Sequence, residues 1–262
     1  MIDAHVHLWR IGEHGCAWPP RDLKAIHRDV ELPELRSLAL TNEIGGVVLV
    51  QSQEDAADTD WLLSLADDPL VLGVVGWSNL RGPLPSHPML KGLRPMVQDR
   101  AADWYDDPAI DAALAAMAER GLVLDALIRP RHLAALRHLA GRHPALSIVI
   151  DHAAKPDAAD LVGWESEVRA IAERPNVACK VSGLVTEPGL TQRIGEIAAI
   201  VIDAFGTDRL IWGSDWPVLT LAEDYAAWLA QAWGLIPASA RDAVFGGNAE
   251  RIYALSGASS SS

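Results

Sequence analysis

Short apolar, β-branched runs alternate with longer amphipathic runs along the whole chain. The segments Ile2–Trp9, Gly46–Gln51, Val71–Trp77, Gly92–Val97, Val123–Ile128, Leu146–Asp151, Asn176–Val181 and Leu210–Gly213 read as strands. Several are continuously apolar, the pattern of parallel strands covered on both faces. Helical patterns with recognisable ends lie between them. Leu32-Pro33-Glu34-Leu35 puts a proline in a first helical turn, where its missing N–H costs no hydrogen bond, and Asp107-Pro108 repeats the device. The run Ala109–Arg120 stops at Gly121, a residue free to take the left-handed conformation that ends helices. Further helices are expected over Arg131–Arg142, Glu165–Arg174, Leu190–Phe205 and Leu221–Trp233, and Pro237–Leu255 reads as terminal helices packed on the outside. The stretch Asn79–Pro88, with its glycine and prolines, predicts little regular helix.

About eight strand-then-helix units without a break in composition predict an α/β fold, a single-domain (β/α)8 TIM barrel over residues 1–256 with extra C-terminal helices. No glycine-rich dinucleotide fingerprint follows the first strand, which argues against a doubly wound sheet. The serine-rich tail 257–262 is too small and polar to pack and is expected to be disordered.

Nearly every expected strand ends in a polar or ionisable residue: His5 and His7, Gln51, Trp77-Ser78, Arg94, Arg129, Asp151-His152, Lys180-Ser182 and Ser214-Asp215. In a TIM barrel such positions converge on one mouth, where active sites lie. His5 and His7 have period-two spacing and point to one face of their strand, as paired metal ligands or paired hydrogen-bonding groups must. Asp215, beside Pro217 where a strand breaks, reads alone as a turn residue; beside the histidines it becomes a general base for water or a metal ligand. Strand alternation would send Asp151 and His152 to opposite faces, and the histidine is the expected site residue because it exchanges protons near neutral pH. Lys180, inside an apolar strand, needs a partner; a place at the mouth or an ion pair with Asp215 is expected. Arg94 and Arg129 divide between substrate contact and structural ion pairs to barrel carboxylates such as Asp125. Trp9, Trp77 and Trp216 fall at or just after strand ends, where an aromatic plane could receive a sugar ring.

A net charge of −13 argues against a nucleic-acid surface, which would show an excess of Lys and Arg. Two cysteines, Cys16 and Cys179, make no disulfide framework and suit a reducing compartment. The opening Met1-Ile2-Asp3-Ala4-His5 lacks the pattern of a signal peptide, and no apolar run approaches the roughly 20 residues that span a bilayer. These features predict a cytoplasmic protein with no membrane partner.

The blocks Ile2-Asp3-Ala4-His5-Val6-His7-Leu8-Trp9 and Gly213-Ser214-Asp215-Trp216-Pro217 resemble the amidohydrolase-related branch of the amidohydrolase superfamily. Intervening blocks, among them Lys91-Gly92-Leu93-Arg94, Arg129-Pro130-Arg131-His132-Leu133, Ile150-Asp151-His152, Lys155-Pro156, Cys179-Lys180-Val181-Ser182-Gly183 and Gly246-Gly247-Asn248-Ala249, resemble its sugar lactonases of the L-fuconolactonase and L-rhamnonolactonase type. The resemblance spans nearly the whole chain and implies a distorted barrel in which water, activated by Asp215, attacks a lactone carbonyl. His152, Lys180 or Arg94 would stabilise the oxyanion, and Gln51, Arg94, Arg129, Trp9, Trp77 and Trp216 would contact a small sugar lactone. Many metal-dependent members carry Lys or Glu after the fourth strand and His after the fifth; Arg94 and Arg129 stand there, so a binuclear centre is not expected. One zinc held by His5, His7 and Asp215, with or without His152, or no metal at all, is what the resemblance allows. Pro95 also stands where lactonase-like members often show a histidine. The same barrel also serves metal-dependent amidohydrolases and nonoxidative decarboxylases, and a barrel of this kind that only binds a ligand is the remaining alternative.

Overall fold

The computed structural model describes residues 1–255; the serine-rich tail lies outside them. Eight strands, β1 (Ile2–Val6), β2 (Gly46–Val50), β3 (Val71–Gly76), β4 (Leu90–Leu93), β5 (Val123–Ala126), β6 (Ile148–Ile150), β7 (Val177–Val181) and β8 (Leu210–Trp212), form one parallel sheet in sequence order. Helices α1 (Leu32–Thr41), α2 (Ala56–Ser64), α3 (Asp111–Glu119), α4 (Leu133–Arg142), α5 (Leu161–Ala172), α6 (Ile194–Phe205), α7 (Tyr225–Leu235) and α8 (Asn248–Ile252) complete a (β/α)8 barrel. No α-helix joins β3 to β4, where the glycine and prolines of 79–88 forbid one. The strands are shorter than the apolar runs suggest, and apart from His5 in β1 and Lys180 in β7 the polar residues at their ends lie in the loops that follow. The fourth starts earlier and ends earlier than expected, at Leu90–Leu93.

Alternation along the strands divides the core in two. Ile2, Ala4, Val48, Val50, Val75, Val123, Val149, Ala178 and Ile211 form an inner cluster, closed from below by Ala249 and Tyr253 of the C-terminal segment. Their neighbours in sequence, such as Val6, Leu49, Leu124, Ile150 and Trp212, belong to the larger core under the helices. β1 breaks this rule. Its register against β2 shifts between Asp3 and Val6, so an extra residue enters the strand. Ordinary alternation turns Asp3 outward and Ala4 into the apolar layer, and the bulge then lets His5 and His7 face the site.

β1 and β8 meet at a seam made by the chain just past β8. Val6 bridges Trp216 in parallel, Asp215 N–H donates to His5 O at 2.9 Å, and His7 N–H donates to Trp216 O at 2.8 Å. Gly213 is required here: a Cβ would lie 2.6 Å from the Cβ of His5. Asp3 pins the seam from outside, its carboxylate accepting from Ser214 N–H at 2.9 Å and from the Tyr225 hydroxyl at 2.8 Å. Burial pushes the Asp3 carboxyl up to about 6.

Candidate active site

The strand-end residues open onto a cavity of about 810 Å³ at the C-terminal face of the barrel. His7, Arg94, Arg129, His152, Lys155 and Asp215 line it, with Trp18 and Met96 on its walls.

Asp215 sits at the centre of the polar groups. It adopts a left-handed φ of 61° in the turn after β8, which aims its carboxylate back over the barrel axis. Its Oδ1 lies 3.3 Å from His7 Nε2, 3.7 Å from His5 Nε2 and 3.9 Å from His152 Nε2. Burial pushes the carboxyl up, but the surrounding imidazoles outweigh it, and Asp215 is held below the ordinary carboxylate range. Burial lowers the imidazoles instead: His152 to about 4, and His5 well below 6.5. The carboxylate is therefore ionised and these two imidazoles are neutral at pH 7.

His152 reaches this position by an unusual backbone. Alternation would separate it from Asp151, but β6 ends at Ile150 and the chain enters a left-handed turn, with φ of 53°, 49°, 62° and 50° at His152, Ala153, Ala154 and Lys155. Each such residue without glycine's freedom costs roughly 1–2 kcal/mol. The turn brings both Asp151 and His152 inward and points Lys155 into the same cavity. Gly183, at φ +60°, makes room for the ring, since a Cβ there would lie 2.4 Å from His152 Nδ1. The Nδ1 of His152 is 2.9 Å from the Ser182 hydroxyl.

Beneath the mouth lies a buried ionic layer. Lys180 is fully buried and does not line the cavity. Its partner is not Asp215: Nζ is 2.5 Å from Asp125 Oδ2 and 3.1 Å from Asp151 Oδ1, because β7 turns this side chain down the barrel axis. Arg94 pairs with Asp151 at 3.3 Å, not with Asp125, and Arg129 lies 3.9 Å from Glu187. Asp151 is drawn well below the carboxylate range; burial opposes this, and Lys180, His5 and Arg94 prevail. Arg94 also reaches the cavity, and its buried Nε has no hydrogen-bond partner.

Of the polar residues read at the strand ends, the fold thus gathers His5, His7, Arg94, His152 and Asp215 within one cluster, with Arg129 at its rim. The others take up packing positions. Gln51 donates its amide to Arg94 O at 2.8 Å. Trp9 is buried edge-on against Trp18 and donates Nε1–H to Arg28 O. Trp216 is buried in the seam, and Trp77 stands outside the cavity lining. Trp18 lines the cavity instead, from a loop whose sequence carries no period to mark it. Lys155 and Glu187, joined at 3.5 Å, were equally invisible as a pair.

The donor set suits one divalent cation. His7 Nδ1 is 2.7 Å from Val50 O, which can only accept, so Nδ1 carries the proton. Nε2 then faces Asp215 Oδ1 at 3.3 Å, where a cation between the two would satisfy both. Neutral imidazoles and one carboxylate are the zinc-type ligands. A second group of possible ligands, His5, Asp151 and His152, shares His5 with the first, and its Asp151 is already paired with Lys180 and Arg94.

A parallel eight-stranded barrel with two histidines at the end of its first strand and an aspartate in the turn after its last has its ionisable groups where barrel enzymes hold their active sites. The chain belongs to the amidohydrolase family, which matches residues 2–255. It is 43% identical to an L-fucono-1,5-lactonase of Burkholderia ambifaria, over 96% of this chain and 94% of that protein. An L-fucono-1,5-lactonase of Burkholderia multivorans is 34% identical over 97% of this chain and 96% of its own length. A crystal structure of an amidohydrolase from Burkholderia multivorans with bound zinc superposes with a TM-score of 0.89 at 34% identity, covering 97% of this chain and 99% of that one.

Proposed function

We propose that this protein hydrolyses a sugar-derived lactone, with Asp215 as the base that activates water. The observation that carries the reading is the ionised Asp215 carboxylate, set among imidazoles on the floor of a cavity large enough for a small ring and edged by Arg94, Arg129 and Lys155. Full-length similarity to two L-fucono-1,5-lactonases supports the substrate class.

A lactone carbonyl is already electrophilic, so a positioned base and fixed donors suffice for attack. Water loses a proton to Asp215 as its oxygen bonds to the carbonyl carbon. Arg94, whose guanidinium reaches the cavity, supports the charge that develops on the carbonyl oxygen. When the ring C–O bond breaks, the departing ring oxygen takes the proton back from Asp215. The product is an open hydroxy acid, whose new carboxylate meets the cationic rim of Arg129 and Lys155. A divalent ion held by His5, His7, His152 and Asp215 would supply a Lewis acid at the carbonyl. Lys180 acts on the site from beneath, through Asp151 and His5.

Two free, buried thiols, Cys16 and Cys179, suit a cytoplasmic setting, and no helix among the described residues is long and apolar enough to cross a membrane. The test is acid release from a panel of aldono-1,4- and 1,5-lactones, before and after chelation. Turnover of L-fucono-1,5-lactone or a stereoisomer is expected; no turnover of any lactone would overturn the reading.

A further inference from the structure

Tyr253 lies at the far end of the barrel from the mouth, one residue past α8, yet it joins the site through unbroken contacts. Its hydroxyl is 2.9 Å from both oxygens of Asp125. Asp125 accepts from Lys180 Nζ, which lies 3.1 Å from Asp151 Oδ1, 3.2 Å from His5 Nδ1 and 5.4 Å above the Tyr253 ring. All five side chains are 1% exposed or less.

The charges in this layer balance, with Lys180 and Arg94 against Asp125 and Asp151. Stability does not require them. A buried ionic group replaced by well-packed apolar residues is often neutral or stabilising, and the inner cluster one layer below consists of such residues. What the layer does accomplish is geometric. Lys180 has a flexible four-carbon stem, and a single carboxylate partner would let its ammonium settle wherever that partner lay. Asp125, held by Tyr253 from below, fixes the ammonium at one height, under Asp151 and His5. Asn248 anchors the segment that delivers Tyr253, donating to Thr207 O at 2.8 Å and Leu210 O at 2.7 Å.

We infer that Tyr253 and Asp125 are positioning residues for the active site, holding the Lys180 ammonium from the barrel floor so that His5 and Asp151 keep their orientation at the mouth. The inference rests on the assignment of His5 to the site made above. It goes beyond that assignment by giving the C-terminal segment a part in the chemistry.

Tyr253→Phe removes one oxygen and keeps the ring. On the full-length protein kcat for L-fucono-1,5-lactone should fall about ten-fold, the lower end for loss of a group that orients a site residue, with KM within about two-fold of wild type. Asp125→Asn should do the same, and the double variant should be no worse than the poorer single one, because both act through Lys180. Ile252→Ala, which thins the packing of the same segment, should lower the melting temperature and leave kcat unchanged. A readout independent of turnover is the set of ring ¹⁵N resonances of His5 in the metal-free protein, assigned against His5→Gln. These should move in Tyr253→Phe and stay in Ile252→Ala. Unmoved His5 resonances overturn the inference whatever the rates do, and moved resonances with wild-type kcat overturn it too. If the wild type turns over no lactone, the lactonase reading fails and the His5 resonances alone decide this one.

Discussion

Asp215 Oδ1 faces His7 Nε2 at 3.3 Å, with the other nitrogen of the ring committed to the Val50 carbonyl. An imidazole and an ionised carboxylate are thereby held face to face, and this contact sets most of what the site should do.

If Asp215 takes the proton from water, Asp215→Asn should lower kcat by at least about 10²–10⁴-fold. The amide is nearly isosteric and lies in the turn after β8, so the variant should still fold. Wild-type kcat in a variant of lowered melting temperature would make Asp215 a structural residue.

Elemental analysis of protein equilibrated with zinc should find one ion per chain. His7→Gln should weaken binding, because it removes a lone pair that no other group replaces. Two ions per chain would show that Asp151 serves a second ion despite its pairs with Lys180 and Arg94.

Gly183→Ala should damage activity without touching any reacting group. The added methyl must displace the His152 ring, and φ of +60° adds roughly 1–2 kcal/mol of strain. A measurable drop in both melting temperature and kcat is expected; an unchanged kcat would mean that the position of His152 does not matter to turnover.

The pH dependence of stability follows from the buried imidazoles. His152 titrates at about 4 in the folded protein and near 6.5 when unfolded, so between these values the unfolded chain binds the extra proton. The contribution of the neutral ring is complete above pH 6.5 and is lost as pH falls towards 4. Asp3, whose buried carboxyl is raised to about 6, contributes with the opposite sign, so the His152 contribution is read as a difference: the metal-free His152→Asn variant should lose less melting temperature than the wild type between about pH 6.5 and 4. Asp215 acts lower on the scale: its depressed pKa stabilises the fold above the ordinary carboxylate value and ceases to do so as pH falls through its folded one.

The rim cations should show themselves in binding. Arg129 is half-exposed and only loosely paired, at 3.9 Å, so Arg129→Gln should raise KM by up to about ten-fold with kcat nearly constant. A fall in kcat alone would place Arg129 in the transition state.

Much of this was legible in the chain. The barrel follows from apolar period and turn chemistry, and His5, His7, Arg94, His152 and Asp215 are visible because ionisable residues at the ends of apolar strands are costly to bury idle. What was hidden depends on backbone detail. The β1 bulge leaves no mark in Ile2-Asp3-Ala4-His5. The left-handed turn at His152–Lys155 is written in His, Ala, Ala and Lys, which carry no preference for it. The direction of Lys180 was missed because its partner Asp125 sits two strands away, and Tyr253 because nothing local ties it to either. The tryptophans misled for a simpler reason: a large ring at a strand end packs as readily under a loop as beside a ligand, and Trp9 and Trp216 do the former.

The seam between the first and last strands has a bearing on when the protein becomes an enzyme. The partners that close it, Asp3 and Ser214, are 211 positions apart, and the bonds that close it also carry Asp215 to His5 and His7. During synthesis the histidines emerge more than 200 residues ahead of the aspartate. Until then no base stands opposite the imidazoles, and a ribosome-bound or truncated chain ending before Asp215 has half a site and no means to use it.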